Sequence, residues 1–183
     1  MYLLRLVLCW YVPDLFCPRW NWSPLATSRI RVLVVDDFEP FRSFVCSELK
    51  KKAELEVVCE VADGLAAVRK AEELKPDLIL LDISLPSLNG IEAGRRIRQL
   101  APNAKILFLS QESSEDVVRE ALRLGARGYV IKTQAGSELL PAVEEVLRGK
   151  KFVSKGVRGH DEALAPELSH GLETQQPDEP LGS

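Results

Sequence analysis

Four apolar stretches of this 183-residue sequence each stop at a residue that can do chemistry: VLVV at Asp36-Asp37, LILL at Asp82, ILFL at Ser110 and YVI at Lys132. Carboxylates brought close together repel, and without a cation one of them has its pKa raised. A hard divalent ion relieves that repulsion. With only oxygen ligands on offer, the selection falls on Mg²⁺, or Mn²⁺ in its place. A metal held by few carboxylates keeps positions open for a phosphoryl oxygen, and a carboxylate can itself be the nucleophile, giving an acyl phosphate. A lysine would then neutralise the transferring group beside the metal, and a hydroxyl could donate to it.

Histidine chemistry is excluded from the centre of the chain. The only two histidines, His160 and His170, lie in the last 24 residues, so neither a Ser-His-Asp triad nor a zinc HExxH helix is on offer. The four cysteines form no CxxC pair, which removes zinc ribbons and thioredoxin-type redox motifs. Cys46 and Cys59 read as small core hydrophobes. A net charge of −3 and a pI of about 5.6 argue against a strongly basic nucleic-acid-binding chain.

The elements that must position these groups follow a repeat. From residue 30, short apolar runs alternate with segments of helical period. Ile30–Val35 leads to a helix with Pro40 in its first turn and Phe41, Phe44, Val45 and Leu49 on one face. Val57, Val58 and Val61 form a second strand, after which Asp63 caps a helix. Leu78–Leu81 is followed by a helix opened by Asn89-Gly90. Ile106–Leu109 precedes a helix capped by Ser114. Tyr129–Ile131 precedes one capped by Ser137 and carrying Leu139, Leu140, Val143, Val146 and Leu147. All strands but the second are apolar on both faces, as in a parallel sheet covered by helices on both sides. The expectation is an α/β, doubly wound, five-stranded parallel sheet with five helices. The order 2-1-3-4-5 is the commonest for five such units, and it places the ligand crevice between strands one and three.

The ends read differently. Residues 1–28 hold all three tryptophans and an apolar run, Tyr2 to Val12, too short to span a bilayer. They read as a leader without a stable fold. Residues 159–183 carry six acids and no Lys or Arg, with several prolines, and read as disordered. The domain boundaries expected are therefore 1–28, 29–153 and 154–183.

Taken together these residues resemble the receiver domain of two-component response regulators. VLVVDDFEPFR is similar to the family's first strand and acid pair, and DLILLDISLPSLNG to its phosphoacceptor strand and following loop. ILFLS is similar to the strand ending in Ser/Thr, and GARGYVIKT to the strand ending in Lys. The likeness covers about residues 30–153. It implies that Asp82 accepts a phosphoryl group and that Asp36, Asp37, Asp82 and the main-chain carbonyl of Ser84 bind Mg²⁺. It further implies that Lys132 contacts the phosphoryl group, that Ser110 moves to it, and that Tyr129 is the aromatic that turns inward when Ser110 moves. The implied donor is a histidine kinase or phosphotransfer protein. The surface expected to respond is about residues 113–148, meeting an unknown downstream protein, with a homodimer as a further option and the cytoplasm as the location. Thr133, where many receivers have Pro, and GSELLPAVEEVLRGKKFVS resemble the subgroup that precedes LuxR-type helix-turn-helix domains. No such domain is legible in the roughly 30 residues that follow, so no direct DNA binding is expected.

Three other readings compete. An aspartate-nucleophile phosphatase would need a second acid two residues after its nucleophile, where this chain has Ser84. A flavodoxin-type flavin site would need a Ser/Thr/Gly-rich phosphate loop where this chain has Asp-Asp-Phe-Glu-Pro. A truncated LuxR-type transcription regulator stays open.

Overall fold

The structure is a computed structural model, and it describes residues 29–157. Residues 1–28 and 158–183, on which the expected leader and most of the expected tail fall, lie outside the described residues. Six parallel strands run β1 (Ile30–Val35), β2 (Leu55–Val61), β3 (Leu78–Asp82), β4 (Lys105–Ser110), β5 (Gly128–Ile131) and β6 (Phe152–Val153). Five helices alternate with them: α1 (Glu39–Leu49), α2 (Gly64–Leu74), α3 (Gly90–Leu100), α4 (Glu115–Arg123) and α5 (Ala135–Leu147). The sheet order is β2-β1-β3-β4-β5-β6. No helix among the described residues is long and apolar enough to cross a membrane.

The strands other than β2 are apolar on both faces because both faces are covered. Val32, Val34, Leu78, Leu80, Leu107 and Leu109 point to one side, where Val45 and Leu49 of α1 and Leu139, Val143 and Val146 of α5 meet them. Leu33, Val35, Ile79, Leu81, Phe108 and Tyr129 point to the other, against Ala67 and Ala71 of α2, Ile97 of α3 and Val118 and Ala121 of α4. Residues of a strand alternate sides, so each strand feeds both layers. Five βα units are present as expected.

Four local readings need correction. The sheet has a sixth strand: Phe152 and Val153 pair with Gly128 and Tyr129 on the outer edge of β5. Two residues carry no period, so that pairing has no local signature. The domain also runs past 153, because Ser154 is wholly buried and Val157 packs into the apolar layer with Tyr129. Ser137 does not cap α5. Lys132–Gln134 form a 3₁₀ turn that runs directly into the helix at Ala135, and the Ser137 hydroxyl donates to Gln134 O at 3.2 Å from inside it. Ser114 occupies the expected cap position of α4 without a side-chain bond. Asp63 and Asn89 do cap, accepting from the backbone N–H of Ala66 and Glu92, each at 2.9 Å. In β2 the register skips Val58, since Val32 faces Val57 and Leu33 faces Cys59.

Gly90 fixes how close α3 comes to the end of β3. A Cβ built there would lie 1.9 Å from the carbonyl oxygen of Asp82. No rotamer change relieves a clash with backbone. Gly90→Ala is therefore expected to destabilise the domain by about 1–3 kcal/mol or more, the cost of overpacking a close contact. Thermal melting checks this, and an unchanged melting temperature would show that the Asp82 loop is free to move.

Candidate functional site

The chain leaves β1 toward β2 on one side, and β3 joins β1 on the other. The carboxyl ends of β1 and β3 thus frame the topological switch point, where open α/β sheets form their crevice. Asp36 and Asp37 follow β1 directly, and Asp82 is the last residue of β3. One carboxylate oxygen from each of Asp36, Asp37 and Asp82 lies within 4.8 Å of the others. Asp36 and Asp82 are buried and Asp37 is exposed.

Each acid is held by short-range bonds. The Phe38 N–H donates to Asp36 Oδ1 at 3.0 Å, and the Ser84 N–H to Asp82 Oδ1 at 3.3 Å. Arg42 on α1 donates to the carbonyl oxygen of Asp36 at 2.7 Å and pairs with Glu60 of β2 at 3.5 Å, tying the end of β1 to its neighbours. Nothing in the sequence pattern marked Arg42, since a lone Arg on a helix reads as solvated.

Lys132 reaches in from the far side. It follows β5, yet its Nζ lies 2.7 Å from Asp36 Oδ2 and 2.8 Å from Asp82 Oδ2, with its side chain only 10% exposed. The Phe41 ring of α1 covers it, with the centroid 4.9 Å from Nζ. Burial disfavours the ammonium, but its bonds to Asp36 and Asp82 outweigh that and push its pKa up. Burial likewise pushes the Asp36 carboxyl up, only partly offset by Lys132. Three carboxylates against one ammonium leave the cluster two negative charges in excess, the charge a divalent cation balances.

The residues present fit such an ion. Asp36 Oδ2 is buried and, beyond its ion-pair contact, accepts no hydrogen bond. The Lys132 ammonium meets that oxygen on one side, and no second protein donor among the described residues takes up its remaining lone pair. The donor set is all oxygen, as Mg²⁺ or Mn²⁺ prefers.

Ser110 ends β4, between β3 and β5, and is wholly buried. Its Oγ accepts from the Glu112 N–H at 3.1 Å. Tyr129 is also wholly buried, and its hydroxyl donates to Glu112 O at 2.9 Å. Burial raises the Tyr129 phenol, so it stays a proton donor. Ser110 and Tyr129 therefore grip the same residue of the β4–α4 loop. The ring lies inside in this structure. The thiol of Cys46, pushed up to about 11 chiefly by burial and then by Glu60, is inert at neutral pH.

Fold and site together define a doubly wound α/β domain with an acid–lysine cluster at its switch point. The response regulator receiver domain pattern matches residues 32–144. The chain is 37% identical over 126 residues to the transcriptional regulatory protein DegU of Brevibacillus brevis, covering 69% of this chain and 53% of DegU. It is 39% identical over 121 residues to the response regulator protein VraR of Staphylococcus aureus, covering 66% and 58%. Among solved structures, a LuxR-family two-component response regulator from Aurantimonas superposes with a TM-score of 0.68 at 34% identity, covering 71% of this chain and 93% of that one. The response regulator domain of Thermotoga maritima CheB superposes with a TM-score of 0.61 at 36% identity, covering 66% and 97%.

This chain belongs to the receiver domain family of two-component response regulators. It spans 53–58% of the length of the curated relatives DegU and VraR.

Proposed function

We propose that the domain is a phosphorylation-dependent switch that accepts a phosphoryl group on Asp82 from a histidine kinase or phosphotransfer protein. The observation that carries this reading is the convergence of Asp36, Asp37, Asp82 and Lys132 from the carboxyl ends of three strands of the sheet. A carboxylate oxygen of Asp82 attacks phosphorus. The bond from phosphorus to the donor nitrogen breaks, its electron pair leaves with the donor imidazole, and Asp82 becomes an aspartyl phosphate. Lys132, already on Asp82 Oδ2, moves its contact to a phosphoryl oxygen while keeping Asp36. Asp36, Asp37, Asp82 and the main-chain carbonyl of Ser84 would hold Mg²⁺, which when bound neutralises charge on the phosphoryl oxygens. Among relatives the family is a phosphoacceptor signalling class, and the catalytic part played here is limited to assisting the domain's own phosphoryl transfer and loss.

Acetyl phosphate with Mg²⁺, followed by intact mass, tests this reading. The expected result is an adduct of about 80 Da on Asp82, one phosphoryl group. Steady turnover of phosphomonoesters without an adduct would favour the phosphatase reading.

The response should travel through the loop that Ser110 and Tyr129 share. When the Ser110 hydroxyl turns to a phosphoryl oxygen it gives up the Glu112 N–H, and the tether of Tyr129 to Glu112 O is then free to rearrange. The phosphoryl group acts by binding one of two packings better than the other. Beryllofluoride, a phosphoryl mimic, is expected to change amide exchange across residues 113–148, with Ser110→Ala weakening the change and Tyr129→Phe, which keeps the ring and drops the tether, altering its extent. Changes confined to the Asp82 loop would exclude this route. The expected absence of direct DNA binding and the option of a homodimer are tested by gel shift and light scattering on this chain with and without beryllofluoride.

A further inference from the structure

Ser154 lies beyond the last helix, yet it is wholly buried, and the phosphoacceptor chemistry gives it no part. Three bonds tie it down. Its N–H donates to Tyr129 O at 2.9 Å. Its Oγ accepts from the Ile131 N–H at 2.9 Å. The same hydroxyl donates to Glu138 Oε2 on α5. Phe152 and Val153 extend the sheet beside Gly128 and Tyr129, and Val153 and Val157 enter the layer that contains Tyr129 and Ile131. Gly156 rests on the residues flanking Lys132: a Cβ there would come within 2.5 Å of Gln134 Nε2 and 3.2 Å of Ile131 Cδ1.

The exit segment 152–157 therefore grips the chain immediately before and after Lys132. The Ile131 N–H, the Ser154 hydroxyl and the Glu138 carboxylate form a chain of hydrogen bonds in which each strengthens the next. Without the hydroxyl the Ile131 N–H would be a buried donor with no partner, and a backbone in that condition shifts to find one. Ile131 is bonded directly to Lys132, whose ammonium must stay within reach of both Asp36 and Asp82.

We propose that Ser154 is a positioning residue for Lys132, and that order in the segment 152–157 is thereby coupled to the phosphoryl state of Asp82. The inference rests on the phosphoacceptor reading above. Such coupling is reciprocal: if a phosphoryl group changes how firmly β5 holds the segment, then a partner that orders or pulls on the segment changes the tendency of Asp82 to stay phosphorylated.

The test uses the full chain as wild type, Ser154→Ala, Glu138→Gln and Gly156→Ala. Phosphoryl uptake from acetyl phosphate with Mg²⁺ is timed by intact mass, and amide exchange of residues 152–157 is followed with and without beryllofluoride. Ser154→Ala is expected to slow uptake about 2- to 30-fold, the span of coupling carried by residues that touch neither ligand. It should also abolish the beryllofluoride effect on 152–157. Glu138→Gln, which keeps an acceptor oxygen for the hydroxyl, should stay near wild type. Gly156→Ala disturbs the same segment from the Gln134 side and should slow uptake as well, so it decides the matter if Ser154→Ala proves unstable. Wild-type uptake in both alanine variants, or exchange at 152–157 indifferent to beryllofluoride in the wild type, overturns the coupling and leaves the phosphoacceptor reading standing. A wild-type chain that takes up no phosphoryl group overturns both.

Discussion

Asp82→Asn is expected to abolish phosphoryl uptake while the domain stays folded. The amide has the shape of the carboxylate but not its nucleophilic charge. The fold survives because the substitution leaves the pocket's bonds mostly in place. An amide oxygen still accepts from the Ser84 N–H, and Lys132 keeps its partner Asp36. One of the two excess negative charges of the cluster disappears as well, which relieves repulsion in the unliganded protein. The melting temperature should therefore hold or rise. The measurement is intact mass after acetyl phosphate and Mg²⁺, beside a thermal melt. An adduct on the Asn variant at the wild-type rate would remove Asp82 from the mechanism, whereas an unfolded variant would show that Lys132 needs both acids to stay buried.

Mg²⁺ is expected to raise the melting temperature, and to do so more at pH 7 than at pH 5. A ligand present at ten times its Kd stabilises the folded state by about 1.4 kcal/mol. In a domain of this size that corresponds to roughly 3–7 °C. The pH dependence comes from competition between the ion and protons. Burial raises the Asp36 pKa, so its proton competes with the ion at higher pH than an ordinary carboxylate's would. For Asp36 without metal, the raised value means that its favourable contribution is present at low pH and lost as pH rises through its folded-state pKa. With Mg²⁺ the sign reverses, because only the ionised form binds. Comparing melts with and without Mg²⁺ at each pH isolates this effect from the other acids. Asp37→Ala should remove most of the shift at little structural cost, since Asp37 is exposed and is a member of the cluster. If a chelator changes neither melting nor phosphoryl uptake, the three acids are not a metal site.

What the sequence determined by itself was the local grammar. An apolar run on both faces followed by a polar residue marks a buried parallel strand and its carboxyl end, so Asp36, Asp37, Asp82, Ser110 and Lys132 could be picked out before any contact was known. The five helices were legible for the same reason, because their apolar period is carried by each segment alone. Tertiary structure decided everything that depends on who sits beside whom. Lys132 bridges Asp36 and Asp82 only because β5 lies two strands from β3, and Phe41 covers its ammonium only because α1 packs under that edge. Tyr129 is inside because the loop after β4 offers it Glu112 O. The sixth strand and the burial of Ser154 are the extreme case. A two-residue strand has no period to read, and a serine looks the same in solvent and in a core. Its place follows from hydrogen bonds to Tyr129, Ile131 and Glu138, partners distant in sequence that meet only once α5 has returned the chain to the edge of β5.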